Sequence, residues 1–296
     1  MTPGTGSPLA GQSAVVTGAS SGIGFHTALL FARRGASVTI TGRDPKRGAG
    51  AVAAIRAAAG HGAVRFMACD HSLAAANQDL AARLTSSLDR LDLLVNNVGG
   101  ISAKRRVTEE GIEWSLAVNF LAPFTLTGAL LPKLRESPGV SRCPNVVSSA
   151  YKMARGDPFE DLQAARSYVG IEVHGRAKLF TLLWSLGLSR HTPPRELVVV
   201  AVNPGMTWTP MTQSMTPEVV PAWRYFFPVV RAFQRRAHPA RAAGNCERLA
   251  LATLQAVSGR YFDGKKPKRL PDQLGDPELI ERVMRIGMQL RSSALA

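Results

Sequence analysis

Short apolar runs alternate with stretches of helical period along most of the chain. Ala14-Val15-Val16 reads as a buried strand, and Phe25, Ala28, Leu29 and Ala32 then repeat at the spacing of one helix face through Arg34. Ser37 to Thr41 is β-branched and reads as a second strand; Pro45 then opens a helix that runs to Ala59. The same rhythm gives strands at Val64 to Cys69, Leu91 to Val95, Asn145 to Ser148 and Glu196 to Val202. Helical patterns occupy Leu73 to Leu88, Glu110 to Arg135 and Ile171 to Arg190, the second with a kink expected at Pro123. Strands alternating with helices predict an α/β fold, a doubly wound parallel sheet covered on both faces. No solenoid-period repeat or low-complexity linker interrupts it. Residues 11–296 therefore read as one domain behind a loose tail, residues 1–10.

Between the first strand and the first helix lies Thr17-Gly18-Ala19-Ser20-Ser21-Gly22-Ile23-Gly24. Strand, glycine-rich turn and helix form the setting in which a pyrophosphate meets a helix N-terminus. Gly18 would serve the sharp turn, Gly22 would admit the phosphates, and Gly24 would let helix and strand pack closely. The spacing Gly-x-x-x-Gly-x-Gly resembles that of the short-chain dehydrogenase/reductase family. The resemblance extends from Gly11 to Arg291 and implies a Rossmann-type sheet of about six or seven strands with a nicotinamide cofactor. It assigns the turn, with Thr17, Ser20, Ser21 and Ile23, to cofactor binding. It further implies that Asp70 contacts adenine and that Asn96 to Gly99 lines the cofactor, supports the central sheet and is tethered by Thr17. Pro204, Gly205 and Thr209 would flank the nicotinamide. At the end of the second strand, an acidic residue would hold free ribose hydroxyls. Arg43 stands there instead, with Lys46 and Arg47 nearby. A guanidinium pairs with a 2′-phosphate, which predicts NADP(H) over NAD(H). Asp44 reads as the N-cap of the next helix.

The family's chemistry rests on an asparagine, a serine, a tyrosine and a lysine. Asn119, Ser149 and Lys178 match three of these, with Lys178 also expected to hold the ribose. The tyrosine belongs one helical turn before the lysine, on the same face. That position is His174, within His-Gly-Arg-Ala-Lys. Tyr168 has Glu172 rather than lysine at that spacing, and Tyr151 lies outside the helix, so the register holds. Phe159 to Gln163 and Val257 to Phe262 resemble the retinol dehydrogenase-like branch of the family. Imidazole titrates at about 6.5, and a neighbouring ammonium favours its neutral form. It is better suited to taking a proton than to giving one. Its shorter ring asks the substrate to sit deeper or to use a bridging water. Three readings stay open: a redox enzyme with His174 as acid/base, non-redox catalysis such as elimination, isomerisation or cyclisation, and a catalytically silent binding or scaffold protein.

Composition narrows the partners. Hydrophobic residues make up 45% of the 296, enough for a core, while 36 basic and 21 acidic residues give a net charge of +15. No zinc-finger or RNA-binding signature accompanies the arginines, so no nucleic-acid partner and no metal site are expected. Residues 206–241 occupy the family's variable lid. They carry Val219, Val220, Trp223, Tyr225, Phe226, Phe227, Val229, Val230 and Phe233 among Arg224, Arg231, Arg235 and Arg236. An aromatic lid predicts a hydrophobic small-molecule substrate. The same pattern would suit peripheral membrane contact, but Pro221 and Pro228 break a continuous amphipathic helix and favour the lid. No run reads as long enough to span a bilayer, and the first residues lack a signal-peptide pattern. Cys69, Cys143 and Cys246 are too scattered for a disulfide framework, which points to the cytoplasm. A homo-oligomer stays open.

Overall fold

Eight strands and nine helices carry the fold among the residues that the computed structural model describes: 7–60, 62–221, 225, 227–252 and 257–296. The strands are β1 (Ser13–Val16), β2 (Ser37–Gly42), β3 (Val64–Ala68), β4 (Leu93–Val95), β5 (Ser141–Val146), β6 (Leu197–Asn203), β7 (Tyr261–Asp263) and β8 (Lys266–Pro267). They form one sheet in the order β3-β2-β1-β4-β5-β6-β7-β8, parallel except for the last pair. Strand order reverses between β1 and β4. The connections leave in opposite directions there, and a crevice opens beyond the carboxyl ends of the strands.

The helices are α1 (Gly22–Arg33), α2 (Pro45–Ala59), α3 (Ala74–Ser87), α4 (Trp114–Arg135), α5 (Gly170–His191), α6 (Pro210–Gln213), α7 (Phe227–Arg235), α8 (Pro239–Leu251) and α9 (Pro277–Leu295). They cover both faces of the sheet. Alternation along β6 shows the consequence: Val198, Val200 and Val202 join one apolar cluster with α1, α2 and α8, while Val199 and Ala201 join the other with α3, α4 and α5. Both clusters are closed to water, so β6 reads as a continuous apolar run.

Pro123 does more than bend its helix. It has no N–H to give the carbonyl four residues earlier, at Asn119. The chain widens into a π turn over Ala117–Leu121, and the freed Asn119 carbonyl accepts a hydrogen bond from the Thr181 hydroxyl of α5 at 2.7 Å. The helix begins later than its apolar period suggests, because the Glu113 carboxylate caps the amides of Ser115 and Leu116. By length and composition, Trp114–Arg135 is apolar enough to cross a membrane, with mean hydropathy 1.4, which corrects the expectation that no run qualifies. As 78% of that window is buried inside the protein, it is accounted for as a core helix.

The sheet also departs from its sequence pattern at one edge. Neither β7 nor β8 is long enough to show a period, and both exist by pairing, β7 on β6 and β8 on β7. Strand β5 starts four residues before its apolar signal because Ser141 and Arg142 are held by β6.

Candidate active site

The glycine turn closes on itself as its spacing requires. Gly18 and Gly22 take φ of 63° and 61°, a region that costs other residues strain. Gly24 is a contact position: a methyl group there would lie 2.5 Å from Asn97 Nδ2 and 2.9 Å from the Gly18 carbonyl oxygen. Thr17 is the tether for the neighbouring loop, its Oγ1 accepting the amides of Asn97 and Val98, both at 3.0 Å.

Two cavities open along the carboxyl ends of the strands. The first, of about 420 Å³, is lined by Gly18, Ser20, Ser21, Arg43, Arg47, Asp70 and His71. The second, of about 230 Å³, is lined by Ile23, Asn97, Asn119, Ser149, His174, Lys178, Pro204 and Gly205. They share Gly99, Ile101 and Met211, so they form one groove with a hydroxyl- and guanidinium-rich end and a catalytic end. That sequence of donors, with the glycine turn lining one end and Gly99 shared between the two, fits a dinucleotide. Asp44 caps α2 through the backbone amides of Lys46 and Arg47, while Arg43 and Arg47 both line the cavity at the β2 end. Burial pushes the Asp70 carboxyl up, but bonds from Ser72 and the nearby Arg43 outweigh it and hold it below its usual range.

The catalytic end is assembled by close helix packing. Gly175 has no side chain, and a methyl group there would meet the Ala150 carbonyl oxygen at 2.4 Å. Helix α5 therefore rests directly on the turn Ser149–Met153 and brings His174 and Lys178 beside Ser149. His174 is buried, and its Nδ1 lies 2.9 Å from the Gly100 carbonyl oxygen. Asn119 Nδ2 donates to that same oxygen at 2.8 Å, while Asn119 Oδ1 accepts the Gly100 amide at 3.1 Å. The buried Lys178 ammonium donates to the Val146 carbonyl at 3.0 Å. Burial lowers the Lys178 pKa to about 8. Burial, then the nearby Lys178 charge, lowers that of His174 to about 3, against the Gly100 bond.

The amino-terminal half matches the family model described as short chain dehydrogenase, over residues 12–156. Retinol dehydrogenase 12 of Mus musculus is 31% identical over 283 residues, covering 95% of this chain and 87% of the relative. Polyprenol dehydrogenase of Mus musculus is 32% identical over 288 residues, covering 96% and 84%. The chain belongs to the short-chain dehydrogenase/reductase family, in its retinol dehydrogenase-like branch. Among solved structures, the NADP complex of RhlG from Pseudomonas aeruginosa superposes with a TM-score of 0.67 at 26% identity, covering 87% of this chain and 96% of that one. A short chain dehydrogenase from Burkholderia cenocepacia, solved with NADP, gives 0.67 at 24%, covering 86% and 97%.

Within this short-chain dehydrogenase, two sequence assignments move. Asn96 does not line the groove. Its Nδ2 bonds Thr127 at 2.8 Å and Asn145 at 2.7 Å, linking β4 to α4 and β5, and Asn97 takes the groove position. Thr209 lines neither cavity; it caps α6 and abuts Gly22, while Thr207 and Thr212 line the cleft. Among the described residues, Met206, Met211, Met215 and Gln234 are what the expected lid contributes to the cleft. Val219 and Val220 are buried, Tyr225 is exposed, and Arg231 and Arg235 both lie 5.6 Å from the Trp208 ring. Trp223, Arg224, Phe226 and the Phe233 side chain lie outside the described residues, as do residues 1–6 of the tail. Gly100 escaped sequence reasoning because it acts through its carbonyl, whereas Asn97 lay within the Asn96 to Gly99 stretch expected to line the groove.

Proposed function

We propose that this protein is an NADP(H)-dependent oxidoreductase that interconverts a hydrophobic alcohol and its carbonyl, with His174 in the acid/base position. The observation that carries this reading is the convergence of His174, Lys178, Ser149 and Asn119 on one cleft continuous with the Arg43 cavity. When bound, the nicotinamide would supply or accept the hydride. Ser20, Ser21 and Arg43 would hold the phosphate end and Lys178 the ribose. Ser149 would hold the reacting oxygen, and His174 would accept its proton on the way to Lys178 and solvent. Ile101, Ile171 and the lid methionines favour an apolar substrate, since thioethers adapt to varied shapes. Three buried, unpaired cysteines support a reducing compartment such as the cytoplasm. The test follows NADPH absorbance with a panel of apolar alcohols, aldehydes and ketones. Turnover with NADP(H) and not with NAD(H) is expected, and the absence of any absorbance change across the panel would remove the redox reading.

A second reading, non-redox proton transfer on the same fold, is favoured by one observation: His174 is held neutral and has no proton to give from Nε2 at ordinary pH. Product formation without any change in nicotinamide absorbance would select it.

A further inference from the structure

The Gly100 carbonyl is an acceptor and nothing else, so the 2.9 Å contact requires His174 Nδ1 to carry the proton. The opposite tautomer would press a ring lone pair against a carbonyl lone pair inside a buried site. Rotation of the Gly100 peptide away from the ring is resisted, because Asn119 holds its amide and its carbonyl at once, at 3.1 Å and 2.8 Å. Trp114 closes the space beside it: a methyl group on Gly100 would lie 2.3 Å from that indole. The tautomer is thus fixed by a backbone group 74 residues from the ring. Nε2 is left as a lone-pair acceptor. No described residue bonds it, and it is not among the sealed, unpartnered polar atoms, so it reaches the cleft.

We propose that the cleft recognises its ligand's oxygen as a hydroxyl rather than a carbonyl, with His174 Nε2 accepting the ligand's O–H and Gly100 setting that preference through its carbonyl. The inference rests on the oxidoreductase reading only in placing the reacting oxygen at this cleft. An alcohol satisfies both flanking groups, donating to Nε2 and accepting from the Ser149 hydroxyl. A carbonyl oxygen can accept from Ser149 but meets a second acceptor at Nε2. A tyrosine at residue 174 would present a hydroxyl able to donate, so the histidine inverts the polarity of the site toward binding the reduced form of the substrate. Proton occupancy on the ring reinforces this, because burial and the Lys178 ammonium oppose a second proton.

The experiment reads the tautomer directly, by nitrogen NMR of the histidine rings in the full chain, with His174 identified by its loss in His174→Ala. A proton on Nδ1 and a bare Nε2 are expected; a proton on Nε2 overturns the inference. Menthol and menthone, an apolar alcohol and its ketone, are then titrated in parallel. Menthol is expected to bind about tenfold more tightly and to shift the Nε2 resonance. In His174→Tyr the preference should vanish or reverse. Equal or tighter binding of menthone by the parent protein, or no binding of menthol, counts against the proposal. A bare Nε2 with menthol preference but no NADP(H) turnover would remove the redox reading and leave this inference standing. Turnover with a proton on Nε2 would do the reverse.

Discussion

The two ends of the groove are specified in different ways. At the nucleotide end, the lining begins with near neighbours along a single turn, Gly18, Ser20 and Ser21, joined by Arg43 and Asp70 from the ends of the next two strands. At the catalytic end, the groups come from three distant segments, and the behaviour of His174 depends on the carbonyl of Gly100 on a fourth. The first end tolerates little change in shape, whereas the second can change chemistry through one side chain. The difference teaches that a cofactor-binding turn is set by neighbours along the chain, whereas the cleft at the other end is set by contacts between distant segments.

The sharpest way to break this comparison is at His174. His174→Ala is expected to lower turnover about 10²–10⁴-fold while NADPH affinity stays nearly unchanged. Steady-state rates alongside a cofactor titration check this, and equal loss of both would mean that the two ends are not separable. His174→Tyr should retain part of the redox rate. Gly24→Ala attacks the other end. The added methyl has no free space beside Asn97 and the Gly18 carbonyl, so a loss of about 1–3 kcal/mol in stability is expected. Thermal melts with and without NADPH should show a lower midpoint and a diminished cofactor-induced rise.

Smaller effects sharpen the same contrast. Arg43→Ala removes a cation beside the β2 end and should weaken NADPH binding by about tenfold or more, leaving NADH binding unaltered. Equal weakening of both cofactors would show that Arg43 does not read a 2′-phosphate. For alcohol oxidation, the rate should climb as pH rises through about 8, where Lys178 becomes a neutral proton acceptor, with no inflection from His174 near the ordinary histidine value. An inflection that His174→Ala removes would contradict the held-neutral ring. Stability carries the same signature. His174 in the fold takes its proton at about 3, against about 6.5 for an unperturbed histidine, so between these values the unfolded chain binds more protons. Stability should therefore fall as pH falls through that window, and less so in His174→Ala; the buried His71, also shifted down by burial, adds to it.

Much of this molecule was determined locally by sequence. The strand–turn–helix around Gly18 to Gly24, the run of elements through β6, the Asp44 cap and the i, i+4 pairing of His174 with Lys178 follow from spacing along the chain, because short-range sterics and helix period fix them. What tertiary structure decided are matters of facing and pairing between distant segments. It placed Asn97 rather than Asn96 in the groove and lined the lid with methionines. It made strands of Tyr261–Asp263 and Lys266–Pro267, and it used the Gly100 carbonyl to choose which nitrogen of His174 holds the proton. A hydrogen bond spanning 74 residues leaves no period in the sequence, and a two-residue strand has none to leave.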